Sequence, residues 1–470
     1  MKIYSNTRSF NADTYTPVQL YLQIRNNFRN CCLLESNDYN SRKDSRSFIG
    51  FDPLINFELY EQLIIRKGTE EEKVELNSEL PITEQIQNIL EAYQFEHEQS
   101  NGFFGRMSFE YALKDETHIQ PDFNNLELPL LHFFIFKHIL VIDHFTNEGF
   151  LIENSLNDDF VHLKIEDIIK LPAPSNLPFE LVGKEHPAFS DLEFQYMVQK
   201  AIKHCERGDV FQLVLSNSFE RSFFGDDFHV YRQLRRTNPS PYLFYFDFES
   251  YRLFGSSPEA QMVIQDDRAV IHPIAGTVPK TGDQIQDEEQ LNFLISDEKE
   301  NAEHTMLVDL ARNDLSRNCE DVRIDSYKEV QHFSHVTHLV SKVSGKLQSK
   351  NSFATIAQSF PAGTLSGTPK PKALELIDEY EKGSRSFYGG AIGILQPSGN
   401  SNMAIVIRSI LSKDNSLRYQ AGAGIVLDSD PERECNEVHH KLRAVRQAII
   451  KADTLQSQTE KIQSYESCSH

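Results

Sequence analysis

The 470-residue chain carries 47 basic against 69 acidic residues, a formal charge of −22, and no tryptophan beside 33 phenylalanines and 17 tyrosines. Nucleic acid and anionic membrane require clustered Lys and Arg, so this balance excludes both as expected partners. An apolar fraction of 39% supports a large core, and at ~100–200 residues per unit the length allows several.

No apolar run follows Met1 through Phe10, so no secretory signal is expected. In the first half, short apolar runs at Cys32–Leu34, Ser47–Gly50 and His132–Asp143 predict strands, and Thr69–Glu79 and Ile82–Tyr93 favour helix. The most apolar stretch, Leu126–Phe145, is interrupted by His132, Lys137, His138 and Asp143. It falls short of the ~20 uninterrupted residues of a membrane span and reads as buried strands. Three prolines between Leu171 and Pro178 mark a linker. This divides the chain into a mixed α/β region over 1–178, a second mixed region over 179–452, and a polar tail over 453–470 expected to fray. Beyond the linker, Asp191–Glu206 has helical spacing, and Val210–Leu215, Tyr242–Phe248 and Ala269–Ile274 read as strands. The cysteines at 31, 32, 205, 319, 435 and 468 show no C-x-x-C spacing, which predicts a reduced, cytoplasmic location.

Two acidic helix faces carry the first chemical signal. In Asp297–Leu310, residues Glu300, Glu303, His304 and Leu307 share one face. Ser429-Asp-Pro-Glu reads as a capping box with Pro431 in the first turn, launching a helix on which Glu434, Glu437 and Lys441 share a face. Each face alone is ordinary solvated surface. Converged, four carboxylates would need a cation, and oxygen donors suit Mg²⁺, which takes one or two carboxylates and keeps waters or substrate oxygens. His332, His335 and His338 would serve zinc poorly, because their spacing drifts around a helix and splits across a strand.

Three glycine clusters follow, at Pro361–Lys370, Tyr388–Gly393 and Ala421–Gly424, none completing a phosphate loop. They read as tight turns that also let a ligand approach backbone N–H groups. Arg408 interrupts the strand-like apolar run Ala404–Ser409, where a guanidinium needs an anionic partner.

Together these motifs resemble the chorismate-utilising enzymes, and within them the large subunits of anthranilate synthase. The resemblance covers about Asp191 to Ile450 and rests on Gly208-Asp-Val-Phe-Gln-Leu-Val-Leu-Ser, Ser256-Ser-Pro-Glu, His272-Pro-Ile-Ala-Gly-Thr, Glu300-Asn-Ala-Glu-His, Gly363-Thr-Leu-Ser-Gly-Thr-Pro-Lys, Phe387-Tyr-Gly-Gly-Ala-Ile-Gly and Ala421–Glu437. It implies an α+β fold, a layered β-sandwich with flanking helices. It also implies that Glu303 and Glu437 ligate Mg²⁺ with Glu300 and Glu434 around it. Gly276, Thr277, Tyr388, Arg408, Gly422, Ala423 and Gly424 would bind chorismate, Arg408 taking a carboxylate. Glu259 would assist loss of the ring hydroxyl as an acid, and His338 the later elimination of pyruvate.

Two positions choose the branch. Gln212 stands where isochorismate and salicylate synthases carry a water-activating Lys, and an amide is no base near neutral pH. Ala275 stands where aminodeoxychorismate synthases usually carry a nucleophilic Lys. The resemblance therefore implies addition of ammonia, supplied by a glutamine amidotransferase small subunit, to give anthranilate, the first step of tryptophan synthesis. Leu33-Leu-Glu-Ser36 and Asn238-Pro-Ser-Pro-Tyr242 are similar to the family's feedback site, in which Glu35, Ser36, Pro241, Tyr242 and Leu243 would enclose tryptophan. The rival readings are an aminodeoxychorismate synthase component and a non-catalytic tryptophan-sensing subunit. An enzyme of tryptophan synthesis that contains no tryptophan can be translated when that amino acid is scarce.

Overall fold

A computed structural model describes residues 1–36, 45–114, 126–172, 177–280, 282–332, 336–349 and 352–467, with backbone alone at 275, 277, 279, 299, 332, 336 and beyond 453. His335 and Cys468 fall outside the described residues, as do the side chains of Ala275, Thr277 and His332.

Strands alternate inward apolar and outward polar residues, and antiparallel pairing of such strands leaves one face to bury. Arg46–Leu59 pairs with Leu131–Asp143 over its whole length, from Arg46 opposite Asp143 to Leu59 opposite Leu131. Two sheets grow from this ribbon. Cys32–Ser36 links it to Tyr242–Asp247, and that layer continues through Arg252–Ser257, Ser409–Lys413 and Ser416–Ile425 to Gln212–Gly225. Phe103–Met107 links it to Ala391–Leu395, and the second layer continues through Ser401–Ile405, Ala260–Gln265 and Arg268–Ile271 to Val336–Leu347. Both links join strands from before and after the proline-rich stretch by backbone hydrogen bonds.

Phe104, Phe134, Phe136, Phe246 and Phe248 belong to the core shared by strands of both layers. Helices Asp191–Glu206, Phe228–Thr237 and Pro431–Ser467 pack on the first layer, and Ile82–Glu91, Glu298–Ser316 and Ser352–Ser359 on the second. The arrangement is the expected layered β-sandwich with flanking helices.

The helix Asp191–Glu206 spans the residues its spacing predicts, and Ser190 closes its start with a capping box: Glu193 N–H donates to Ser190 Oγ, and Ser190 N–H donates to Glu193 Oε2 at 2.8 Å. One expectation fails. Thr69–Glu79 is not helical; Glu70–Val74 is a strand paired with Leu63–Lys67 around Gly68, whose φ of +60° makes the turn. Its acidic residues find cross-strand cations, Glu71 on Arg66 at 3.0 Å and Glu72 on Lys67 at 3.3 Å, so pairing overrides helix propensity. Leu181 N–H donates to Asp453 Oδ1 at 3.0 Å, tying the last helix to a neighbouring strand, and the helix runs on to Ser467. Among the described residues, Cys31, Cys32, Cys205, Cys319 and Cys435 are free thiols, and no helix is long and apolar enough to cross a membrane.

Candidate active site

The two acidic faces meet. Asp297 caps Glu298–Ser316, accepting from Glu300 N–H at 2.8 Å, and this helix presents Glu300 and Glu303. His304, fully buried on the same stretch, bonds Ser341 Oγ through Nε2 at 2.6 Å and anchors the helix to the sheet. The helix from Pro431 presents Glu434, Glu437 and Lys441. Its cap is Asp430 and not Ser429: Asp430 Oδ1 accepts from Arg433 N–H at 2.9 Å, and Ser429 Oγ is engaged by Val426 N–H. With Pro at the first turn, the residue immediately before it is the one placed to cap.

Glu303 feels its neighbours directly. Burial raises its pKa, the charges of Glu300 and Glu437 raise it further, and Gln212 and Lys441 oppose them. Gln212, the first residue of its strand, donates from Nε2 to Glu303 Oε1 at 3.1 Å. Lys441 donates to Glu437 Oε1 at 2.8 Å and to Gly422 O at 2.9 Å. Mutually repelling carboxylates at the meeting of two helices are a hard, oxygen-only donor set, which fits Mg²⁺ and not a thiophilic metal.

A second cluster faces the first. Glu259 lies between the strands Arg252–Ser257 and Ala260–Gln265, with a small accessible face, and accepts from Thr364 Oγ1 at 3.3 Å. Burial pushes its carboxyl up to about 7, against the pull of Thr364, Lys441 and Arg408. Arg408 is not in a strand: it occupies a bend between Ser401–Ile405 and Ser409–Lys413 with φ of +49°, and its carbonyl accepts from Ser256 N–H at 3.2 Å. The bend aims the guanidinium toward Glu259, the anionic partner a buried Arg needs. His338, 7% exposed, places Nδ1 3.4 Å from Gly276 O. A carbonyl only accepts, so Nδ1 carries the proton and Nε2 is the basic nitrogen. Burial holds this histidine below its ordinary pKa, Gly276 O opposes, and Arg408 adds to the lowering, so the ring is neutral at pH 7.

Ala421–Gly424 is not a turn. It lies within the strand Ser416–Ile425, with Gly424 opposite Val214 and Gly422 opposite Ser216. Absence of side chains there leaves room for neighbours: a Cβ at Gly424 would stand 2.7 Å from Gln212 Nε2, and one at Gly422 would stand 3.2 Å from Tyr388 Oη. Tyr388 is buried, which raises its phenol pKa well beyond the usual range. Gly367 has the same function on the other side of Gln212, where φ of +126° brings its α-carbon against the Gln212 carbonyl. Gly367→Ala is expected to lower stability by about 1–3 kcal/mol from the backbone alone, read from urea unfolding.

A family model described as chorismate binding enzyme matches residues 29–447. The chain belongs to the chorismate-binding enzymes. Anthranilate synthase component 1 of Mycolicibacterium smegmatis is 36% identical over 473 residues, covering 94% of this chain and 90% of that protein. The crystal structure of anthranilate synthase component I from Streptococcus pneumoniae superposes with a TM-score of 0.74 at 29% identity, covering 93% of this chain and 99% of that one. The menaquinone-specific isochorismate synthase of Escherichia coli shares the fold, with a TM-score of 0.75 at 18% identity over 95% of this chain and 94% of that one.

In this chorismate-binding enzyme, pairing of Cys32–Ser36 with Tyr242–Asp247 sets Glu35 opposite Leu243 and Ser36 opposite Tyr242, with Pro241 just before the strand. The five residues expected at a feedback site thus lie together. Glu35 is occupied within the protein, accepting from Tyr231 Oη at 2.7 Å and pairing with Arg235 at 2.9 Å. Sequence reasoning placed Lys441 on the right helix face and Thr364 in a glycine-rich motif without giving either a role. Position i+4 from Glu437 was the available signal for Lys441; only strand and helix packing brings Thr364 to Glu259.

Proposed function

We propose that this protein converts chorismate and ammonia to anthranilate and pyruvate, as the large component of an anthranilate synthase. The observation that carries the reading is Gln212, whose amide is bonded to Glu303. An amide held this way cannot activate water, which leaves ammonia as the nucleophile. The names of the relatives above support the same reaction.

Arg408 takes a substrate carboxylate. Glu259, with its pKa near neutrality, gives its proton to the ring hydroxyl, whose C–O bond breaks with departure of water. Ammonia forms the new C–N bond at ring position 2, the two ring double bonds shift toward position 4 as its hydroxyl leaves, and the nitrogen sheds a proton. The basic Nε2 of His338 then removes the ring proton at position 2; the electron pair restores the aromatic ring as the C–O bond to the enolpyruvyl side chain breaks, releasing pyruvate after protonation. Glu303 and Glu437 would hold Mg²⁺ with Glu300 and Glu434 around it; the ion would supply positive charge for the ring carboxylate. A glutamine amidotransferase small subunit would deliver ammonia, and tryptophan would inhibit through Glu35, Ser36, Pro241, Tyr242 and Leu243.

Incubation with chorismate, Mg²⁺ and ammonium should produce anthranilate fluorescence that falls when tryptophan is added. A para-substituted product would point to aminodeoxychorismate synthesis instead, and absence of any product to a sensing subunit. Ser36→Phe should raise the tryptophan concentration for half-inhibition by about tenfold or more; unchanged inhibition would show the feedback site to be elsewhere.

A further inference from the structure

A recess of about 390 Å³, counted with its open mouth, lies against Glu259. Arg408, Glu303, Glu437 and Lys441 are not among the residues that border it. Its wall is part apolar, from residues such as Leu310, and part polar, from Glu259, Gln261, Thr364, Ser359 and Asp314. Gln261 is 3% exposed, and among the described residues its Oε1 has no hydrogen-bond partner. Its orientation comes from an irregularity in the strand: Ala260 lies opposite Ala404 and Met262 opposite Met403, so Gln261 is an extra residue, a bulge in Ala260–Gln265. Bulges turn a side chain away from the face its neighbours dictate. An unpartnered buried amide oxygen costs about 1–3 kcal/mol unless a donor reaches it, and a water held between it and the neighbouring polar side chains would be such a donor.

We propose that this recess is a water-filled proton-supply chamber for Glu259, with Gln261 as the positioning residue that orders the water. The inference rests on the role given to Glu259 above. Each turnover leaves Glu259 as a carboxylate, because its proton departs with the expelled water. The recess offers that proton a return path that does not pass Arg408, Glu303, Glu437 or Lys441. A hydronium proton passes along the chamber water to Glu259, matched by the proton that ammonia sheds when its lone pair forms the C–N bond. The charged groups facing Glu259 are Arg408 from the bend and Lys441 from the last helix. The recess adds Asp314, paired with Lys370 at 3.0 Å.

Gln261→Met keeps volume and removes the acceptor, and replacing an unpartnered amide with an apolar isostere should preserve folding. Single-turnover and steady-state rates are compared at pH 6 with chorismate, Mg²⁺ and ammonium. The expected result is a first turnover at the wild-type rate, with Glu259 already protonated, followed by turnovers about tenfold slower or more. Gln261→Glu, which restores acceptor oxygens at the same reach, should recover the later turnovers. Equal slowing of first and later turnovers would overturn the proposal, since it would mean Gln261 only props Glu259. No slowing would overturn it as well. A wild-type protein that makes no anthranilate defeats the functional reading itself, a failure visible before any variant is compared.

Discussion

Lys370→Met is expected to cost about 3–5 kcal/mol of stability, the range for removing one partner of a buried ion pair. Lys370 and Asp314 are 7% and 4% exposed, and Lys370 Nζ lies 3.0 Å from both Asp314 oxygens and 2.7 Å from Ser359 O. Burial drives each toward its neutral form, lowering the lysine pKa and raising that of the aspartate, and each partner opposes the shift in the other. Removing the lysine deletes that opposition and leaves a carboxylate in an apolar setting. Its folded pKa then rises further above its unfolded value, so the penalty is largest at pH 8 and shrinks as pH falls toward the unfolded carboxyl pKa. Urea unfolding at pH 8 and pH 5 measures both effects. Lys370→Met with Asp314→Leu should recover much of the loss, because the pair's desolvation disappears with it. A double variant as unstable as the single one would show that the lysine acts through packing alone.

What was legible in the sequence is what depends on local spacing. The Glu300/Glu303 and Glu434/Glu437 faces follow from helical period, and both helices appear where the apolar pattern puts them. That the faces converge was implied by the family resemblance and not by spacing, and it is seen in the influence of Glu437 on Glu303. Arg408 was recognised as an anomaly in an apolar run, but its left-handed bend was invisible, because Arg has no local preference for φ of +49°. The bend persists because strands on both sides fix its ends. Ala421–Gly424 was misread for the same reason in reverse: small residues that suggest turns were required here by a neighbour, Gln212, across a strand pair. Glu70–Val74 failed because cross-strand partners, not propensity, decide a hairpin. Gln261 gave no signal at all, since a bulge is a property of two strands and not of one.

Composition also acquires a local meaning. A charge of −22 opposes approach of a dianion at long range, yet such fields are screened beyond about 10 Å at moderate ionic strength. Inside the cleft the relevant cations are Arg408 and Lys441, both acting on Glu259, with Lys441 also acting on Glu303. An anionic substrate that reaches the cleft would therefore meet these two local cations, whatever the surface total.

Glu259→Gln is expected to lower kcat by about 10²–10⁴-fold, the usual contribution of a positioned general acid. The same change should stabilise the protein at alkaline pH. Burial raises the folded pKa of Glu259 from 4.5 to about 7, so between those values the folded state holds a proton that the unfolded chain has released. Stability from this group is complete below pH 4.5 and is lost as pH rises through 7, when the buried carboxyl must ionise. At ~1.4 kcal/mol per pKa unit the ionised side chain costs on the order of 3 kcal/mol above pH 8. Glutamine has the same shape and never ionises, so the variant should exceed wild type in stability at pH 8.5 and match it near pH 4.5. Activity should follow the same titration: wild-type kcat falls as pH rises through about 7, and the residual kcat of the variant lacks that limb. Both measurements are needed. Lost activity with unchanged alkaline stability would mean that Glu259 is not buried as a neutral acid. Gained stability with retained activity would mean that it is buried but does not deliver the proton.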